Sequence, residues 1–247
     1  MIILKSSEEL ALMMKSGAIV KDALNLVEEK IKEGMTTEKL DRIIYDYITS
    51  QKAYPSFLGY MGFPKSACIS VNDEVVHGIP GKRVIKEGDI VSVDVGAKLN
   101  GFHADAARTF PVGRIDAEKE KLIRVCRESF FKGVENFVEG NRLGDISSAI
   151  QQHAESNGFS VVRELVGHGI GRDIHEDPNV PNYGVSGHGI RLRVGMVFAI
   201  EPMICAGKHR IYQEENGWTI VTADGKPSAH YENTVALTEN GIVYTTL

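Results

Sequence analysis

The stretch DIVSVDVGAKLNGFHADAARTF, residues 89–110, decides the fold because it predicts its own pairing. Val91, Val93 and Val95 alternate with other residues, and Asn100-Gly101 falls between two such alternating runs. A type I′ turn needs positive φ at both central positions, which Asn-Gly supplies, so a β-hairpin is expected. With those two residues as the turn, paired positions sum to 201. Asp105 then faces Gly96 and Asp94 faces Ala107, so the aspartates are diagonal neighbours on one face, backbones roughly 7–8 Å apart. Solvent-facing aspartates are the plain alternative. The apolar valines argue against it, since aspartate is depleted in strands and burying two like charges without a counter-ion is costly. The pair is therefore expected to share one or two cations, with side-chain-free Gly96 leaving room between them.

An echo of this segment lies further on. EGDIVSVDVG (87–96) resembles VGMVFAIEPM (194–203), placing Gly88 and Gly195, and likewise Asp94 and Glu201, 107 positions apart. Helical stripes repeat too. Gly17, Val20, Leu24 and Ile31 are answered 106 positions later by Ile123, Cys126, Phe130 and Phe137, and Leu40 and Ile44 by Ile146 and Ile150. Both long helices run into Glu-Gly, at Glu33-Gly34 and Glu139-Gly140, where each glycine suits a helix C-cap. The chain reads as α+β and one domain over 1–247, with two pseudo-symmetric helix-helix-strand halves, roughly 1–112 and 113–247.

Composition narrows the function. A net charge of -5, from 28 Lys+Arg interspersed with 33 Asp+Glu, gives no broad positive field, so DNA or RNA binding is not expected. The opening MIILKSSEEL turns charged at Lys5, Glu8 and Glu9 and lacks the apolar core of a secretory signal; no later run approaches membrane-spanning length. A soluble, cytoplasmic protein is expected. Its three cysteines, Cys68, Cys126 and Cys205, form no Cys-x-x-Cys pair, which argues against a disulfide framework and a cysteine-based zinc site.

The second half adds ligand types. Glu201 lies in the apolar run MVFAIEPM, and Glu232 in SAHYENTVAL opens a β-branched stretch. GHGIGRDIHEDP (167–178) places His168 and His175 among glycines that no stable helix would keep. Four acids in apolar strand sequence and one imidazole suit hard or borderline divalent metals, and four carboxylates carry enough charge for two dications.

In order along the chain stand VVHGIP (75–80), DVG (94–96), FHAD (102–105), GHGIGRDIHE (167–176), IEPM (200–203) and YENTV (231–235). Six strings in this order over nearly the whole chain resemble the type I methionine aminopeptidases of the pita-bread fold. The resemblance implies that Asp105 and Glu232 bridge two metal ions, that Asp94 completes one ion, and that His168 and Glu201 complete the other. It implies a bridging hydroxide that attacks the first peptide bond, with Glu201 as general base, and a free coordination position that takes the substrate's amino terminus. His175 is expected to donate to the scissile carbonyl oxygen and His77 to contact the amide on the leaving side. The glycines around His168 are expected to let backbone approach the metals. His188, in another His-Gly-Ile stretch, reads as a solvated loop residue.

By the same resemblance Tyr60, Phe63, Cys68 and Trp218 line a methionine pocket, with Phe57 and Ile174 at its edge; a thioether suits such a polarizable, aromatic lining. Phe63, Ile174 and Met61 stand where many relatives have tyrosine, an aromatic and histidine, which bears on pocket shape more than on reaction class. The expected substrates are nascent polypeptides that begin with Met and carry a small second residue, and the expected metals are Fe, Mn, Co or Zn. A monomer is expected. Lys208, His209 and Arg210 read as a surface loop, with a ribosome contact as the functional alternative. An Xaa-Pro peptidase shares the ligand set but resembles chains with a large extra N-terminal domain, and here the first motif begins at His77; no N-terminal zinc finger is expected either. Type II enzymes carry an insertion after the second histidine, whereas only 26 positions separate His175 from Glu201. A non-catalytic binding protein of this fold is expected to have lost ligands, and this chain keeps all five.

Overall fold

The computed structural model describes residues 1–247. Four helices carry the outer surface: α1 (Ser7–Lys30), α2 (Thr37–Ser50), α3 (Ala117–Val134) and α4 (Leu143–Ser156). The first three begin where a side chain accepts from a free N–H group of the first turn. Ser6 accepts from the Glu9 N–H while Glu9 accepts from the Ser6 N–H, a capping box. Thr36 and Asp116 cap α2 and α3 by accepting from Lys39 and Lys119 N–H. At α4 the Asp145 carboxylate accepts from the Arg142 N–H. No helix is long and apolar enough to cross a membrane.

The helices end sooner than the glycines suggest. α1 stops at Lys30 and α3 at Val134, so Gly34 and Gly140 are not their C-caps. Both glycines instead have positive φ and turn the chain toward the sheet: Gly34 N–H donates to Ile85 O, and Gly140 N–H to Leu192 O. The next residues repeat the symmetry. Thr36 bridges Val84 and Arg142 bridges Arg191, so the two bridges sit 106 and 107 positions apart along the chain.

Each half buries its own core. One cluster joins the α1 and α2 stripes (Val20, Leu24, Leu40, Ile44) to Val91, Val93 and Val95. The other joins Cys126, Phe130, Ile146 and Ile150 of α3 and α4 to Phe198, Ile200 and Val235. Helices thus cover one face of each sheet and leave the opposite face free for a site.

Strands Ile90–Leu99 and Phe102–Pro111 form the expected hairpin, with Gly96 opposite Asp105 and Asp94 opposite Ala107. Asn100 (φ 52) and Gly101 (φ 84) make the turn. Ala67–Val71 pairs with the other edge of Ile90–Leu99 and sets Cys68 opposite Asp94. The second half builds a five-stranded sheet from Gly167–Gly169, Glu176–Val180, Val197–Ile200, Asn233–Thr238 and Gly241–Tyr244. A seam joins the halves. Thr234 Oγ1 accepts from Asp105 N–H and donates to Asp105 O, both at 2.9 Å, while Glu232 N–H donates to Ala107 O at 3.0 Å. That seam draws Asp105 of one half against Glu232 of the other, giving the pita-bread arrangement of two pseudo-symmetric halves.

Candidate metal centre

A cavity of about 580 Å³ opens over the seam, and Asp94, Asp105, His168, Glu201 and Glu232 all line it. Asp94 and Asp105 come from the hairpin, His168 from Gly167–Gly169, Glu201 from the end of Val197–Ile200 and Glu232 from the start of Asn233–Thr238. His168 Nε2 lies 3.6 Å from Glu201 Oε1 and 4.0 Å from Asp105 Oδ2. Its Nδ1–H donates to Gly169 O at 2.8 Å, which fixes the tautomer and aims the Nε2 lone pair at the acids.

The carboxylates are in an environment that disfavours their charge. Burial lifts Glu201 to about 8. Burial, with the Glu201 charge adding to it, lifts Asp94 to about 7. Asp105 and Glu232 are raised well above the usual carboxylate range, by burial first and then by the neighbouring acids. The imidazoles are pushed the other way and stay neutral: burial brings His168 down to about 3 and His77 to about 4, and also lowers His175. Asp94 Oδ1, Asp105 Oδ1 and Glu232 Oε1 are buried without a hydrogen-bond partner. Orphaned acceptors of one sign around a neutral imidazole lone pair are the arrangement that a divalent cation satisfies, so the residues fit a metal site. Asp105, His168 and Glu232 offer donor atoms within 4.8 Å of one another.

Around this floor, Phe57, Phe63, Cys68 and Ile174 form a small apolar cluster with Trp218 packed against it. Phe63 and Trp218 meet edge to face, ring centroids 5.1 Å apart. Tyr60 and the largely exposed Met61 sit at the mouth, and Tyr60 Oη bonds His175 Nδ1 at 2.9 Å. The His175 ring lies 4.2 Å from that of His168, centroid to centroid. His77 holds positive φ (58°) and turns its ring edge toward Trp218. His188 is exposed, outside the cavity, with its ring directed at Ser186 O.

Two glycine expectations need correcting. A Cβ on Gly96 would meet Ser56 Cβ at 2.8 Å and Ile174 and Phe57 at 3.2 Å, so the missing side chain admits the pocket wall, not the cations. A Cβ on Gly169 would meet Asp177 O at 2.1 Å, so that glycine serves strand-on-strand packing, not approach to a metal.

Some residues at the site were not anticipated from the sequence. The Arg108 guanidinium donates to Glu232 O and to Asn233 Oδ1 and lies over the Tyr231 ring, placing a cation behind Glu232. Buried Asn182 donates to Glu201 O at 2.9 Å. His230, buried beside Glu201, is held down to about 4 by burial, against the pull of Asp94. Only His230 left a trace in the sequence: it stands two positions before Glu232, the spacing that puts side chains on one face of an extended strand.

Comparison with known proteins agrees with this geometry. The model of metallopeptidase family M24 matches residues 11–239. The chain belongs to metallopeptidase family M24. A methionine aminopeptidase of Clostridium perfringens is 60% identical over 241 residues, covering 98% of this chain and 97% of that protein. The crystal structure of a methionine aminopeptidase from Thermotoga maritima superposes with a TM-score of 0.98 at 46% identity, covering 100% of this chain and 99% of the other. A prolidase from Pyrococcus furiosus shares the M24 fold at a TM-score of 0.79 and 24% identity; this chain spans 65% of its length.

Proposed function

We propose that this M24 chain is a methionine aminopeptidase that hydrolyses the first peptide bond of polypeptides beginning with Met and carrying a small second residue. The observation that carries the reading is the joining, in one cavity, of four carboxylates and an imidazole to the apolar wall of Phe63, Cys68 and Trp218. A Met side chain entering that wall brings the following peptide bond over the acids.

Asp94, Asp105, His168, Glu201 and Glu232 would hold the divalent ions, two by the charge that four carboxylates supply. Bound ions of this kind acidify water and polarise the substrate carbonyl. Glu201, at the cavity floor, would take the proton of the attacking water and pass it to the departing amine. His175 Nδ1 lies 2.9 Å from the Tyr60 hydroxyl; with Tyr60 donating there, His175 would hold an Nε2–H for the developing oxyanion. His77, neutral because it is buried, offers an N–H to the leaving side of the bond. Residues of both halves are therefore needed for each step.

Lys208 and Arg210 are exposed on a surface loop in which the Lys208 N–H donates to Asp224, and a ribosome contact through them is no part of this reading. The test is cleavage after chelation and reloading with Mn(II) or Co(II). Release of Met from Met-Ala-Ser with no cleavage of Xaa-Pro peptides is expected. Cleavage of Xaa-Pro alone would move the assignment to a prolidase, and no cleavage with any metal to a binding protein.

A further inference from the structure

We propose that the cleft between the N-terminal segment and the start of α4 binds an organic diphosphate, such as a nucleoside diphosphate, through Arg142, Arg191 and Arg193. The cleft shares no lining residue with the metal-centre cavity.

The backbone brings the three arginines together. Arg142 and Arg191 are antiparallel bridge partners, so their side chains leave the chain side by side. Arg193 follows two positions after Arg191; Leu192 between them is 1% exposed and enters the core, so both arginines face outward. Like charges directly opposite one another on paired strands are destabilising. The matching bridge of the first half pairs Thr36 with Val84, so the pairing itself does not call for arginine.

None of these guanidinium groups is ion-paired with a carboxylate, whereas those of Arg42, Arg83, Arg124, Arg163 and Arg172 each are. Asp145, the acid of the same turn, directs its carboxylate to Ser186 and to the Arg142 and Gly187 N–H groups. Arg142 donates one side-chain N–H to Gly189 O at 2.6 Å and Arg191 one to Gly140 O at 3.3 Å. The other N–H groups of these forks, and all those of the Arg193 side chain, have no acceptor in the protein. The Leu143 and Gly144 N–H groups that open α4 are already bonded to Ile190 O and His188 O, so the guanidinium groups carry the site.

Size and charge narrow the ligand. The cleft holds about 480 Å³, within the roughly 300–1,000 Å³ of small-molecule sites. A phosphate monoester brings a charge of about −1.5 to −2, so a diphosphate comes nearer to balancing three cations than one phosphate or one carboxylate does. Planar guanidinium forks match phosphate oxygens in pairs. Ile2, Leu4 and Met196 supply an apolar side that suits the organic body of the ligand.

Full-length protein, metal-loaded and again after chelation, is titrated by calorimetry with ADP, AMP and inorganic pyrophosphate. Wild type, Arg193→Gln and the double variant Arg191→Gln/Arg193→Gln are compared. One ADP per chain is expected with or without metal, bound more tightly than AMP or pyrophosphate. Arg193→Gln should weaken ADP at least about tenfold, the loss of one hydrogen bond to a charged group. No binding at millimolar ADP overturns the proposal. Binding that chelation abolishes, or that the arginine substitutions leave unchanged, places the phosphates elsewhere and overturns it too. Pyrophosphate binding as tight as that of ADP overturns the assignment to an organic ligand. The Arg193 side chain bonds nothing in the protein, so Arg193→Gln keeps the fold, which circular dichroism checks; should the double variant fail to fold, Arg193→Gln decides.

Discussion

Lys5 Nζ and Glu176 Oε2 form an ion pair at 2.5 Å, with both side chains almost wholly buried, between the N-terminal segment and the loop that ends at His175. Glu176 Oε1 also accepts from the Arg172 N–H at 2.8 Å, so the carboxylate closes the loop that carries Ile174 and His175. Removing one partner strands a buried charge, which costs about 3–5 kcal/mol. Lys5→Met and Glu176→Gln are each expected to lower the Tm by about 10 °C, since about 2–4 °C accompanies each kcal/mol in a chain of this size. The double variant should recover part of the loss, as a thermal-unfolding cycle will show; additive losses would mean that the pair contributes nothing.

The Tyr60 hydroxyl lies 2.9 Å from His175 Nδ1, and donation from it would keep the His175 proton on Nε2. His175→Ala should lower kcat for Met-Ala-Ser by about 10²–10³-fold, the usual cost of one oxyanion donor. Tyr60→Phe should cost only a few-fold, because the neutral ring keeps a fraction of the productive tautomer. Steady-state kinetics checks the order; an effect of Tyr60→Phe as large as that of His175→Ala would contradict it.

Gly17 lies mid-helix, where alanine gains about 1 kcal/mol by propensity. A Cβ there would lie 2.0 Å from Thr245 O, and overpacking of that kind costs about 1–3 kcal/mol or more. The clash wins, and Gly17→Ala should be net destabilising in urea unfolding by about 1–2 kcal/mol. A stabilised variant would show that the helix and the C-terminal segment are not held together.

Metal removal should be felt most at high pH. Asp94 and Glu201 are raised to about 7 and 8 when folded, above their unfolded values near 4, so the stability they contribute is present below pH ~4 and is lost as pH rises through 7 and 8. Chelated protein should therefore fall in Tm from pH ~4 to ~8 and level off above, while protein with Mn(II) falls much less near neutral pH, since ions bind the ionised carboxylates. Equal slopes with and without metal would argue against ions at these acids.

The hairpin was legible because one dipeptide fixes its register, and the four cavity acids because each is a carboxylate lodged in apolar strand sequence, while His168 stood out among its glycines. Helix ends were less legible. Gly34 and Gly140 look like caps, yet the helices stop sooner as the chain bends to bond Ile85 and Leu192, partners about 50 positions away. Lys5 and Glu176 are separated by 171 positions, and neither has a local pattern that names its partner. His230 showed only its two-residue spacing from Glu232, and the fold is what brings Glu201 against it.

The cross-link of Thr234 to Asp105 carries a consequence for biogenesis. Two of the five cavity donors precede position 113 and three follow it, so the proposed centre is complete only once the penultimate strand, Asn233–Thr238, docks on the hairpin. On that proposal, unfinished or clipped molecules would be kept from acting on neighbouring peptides.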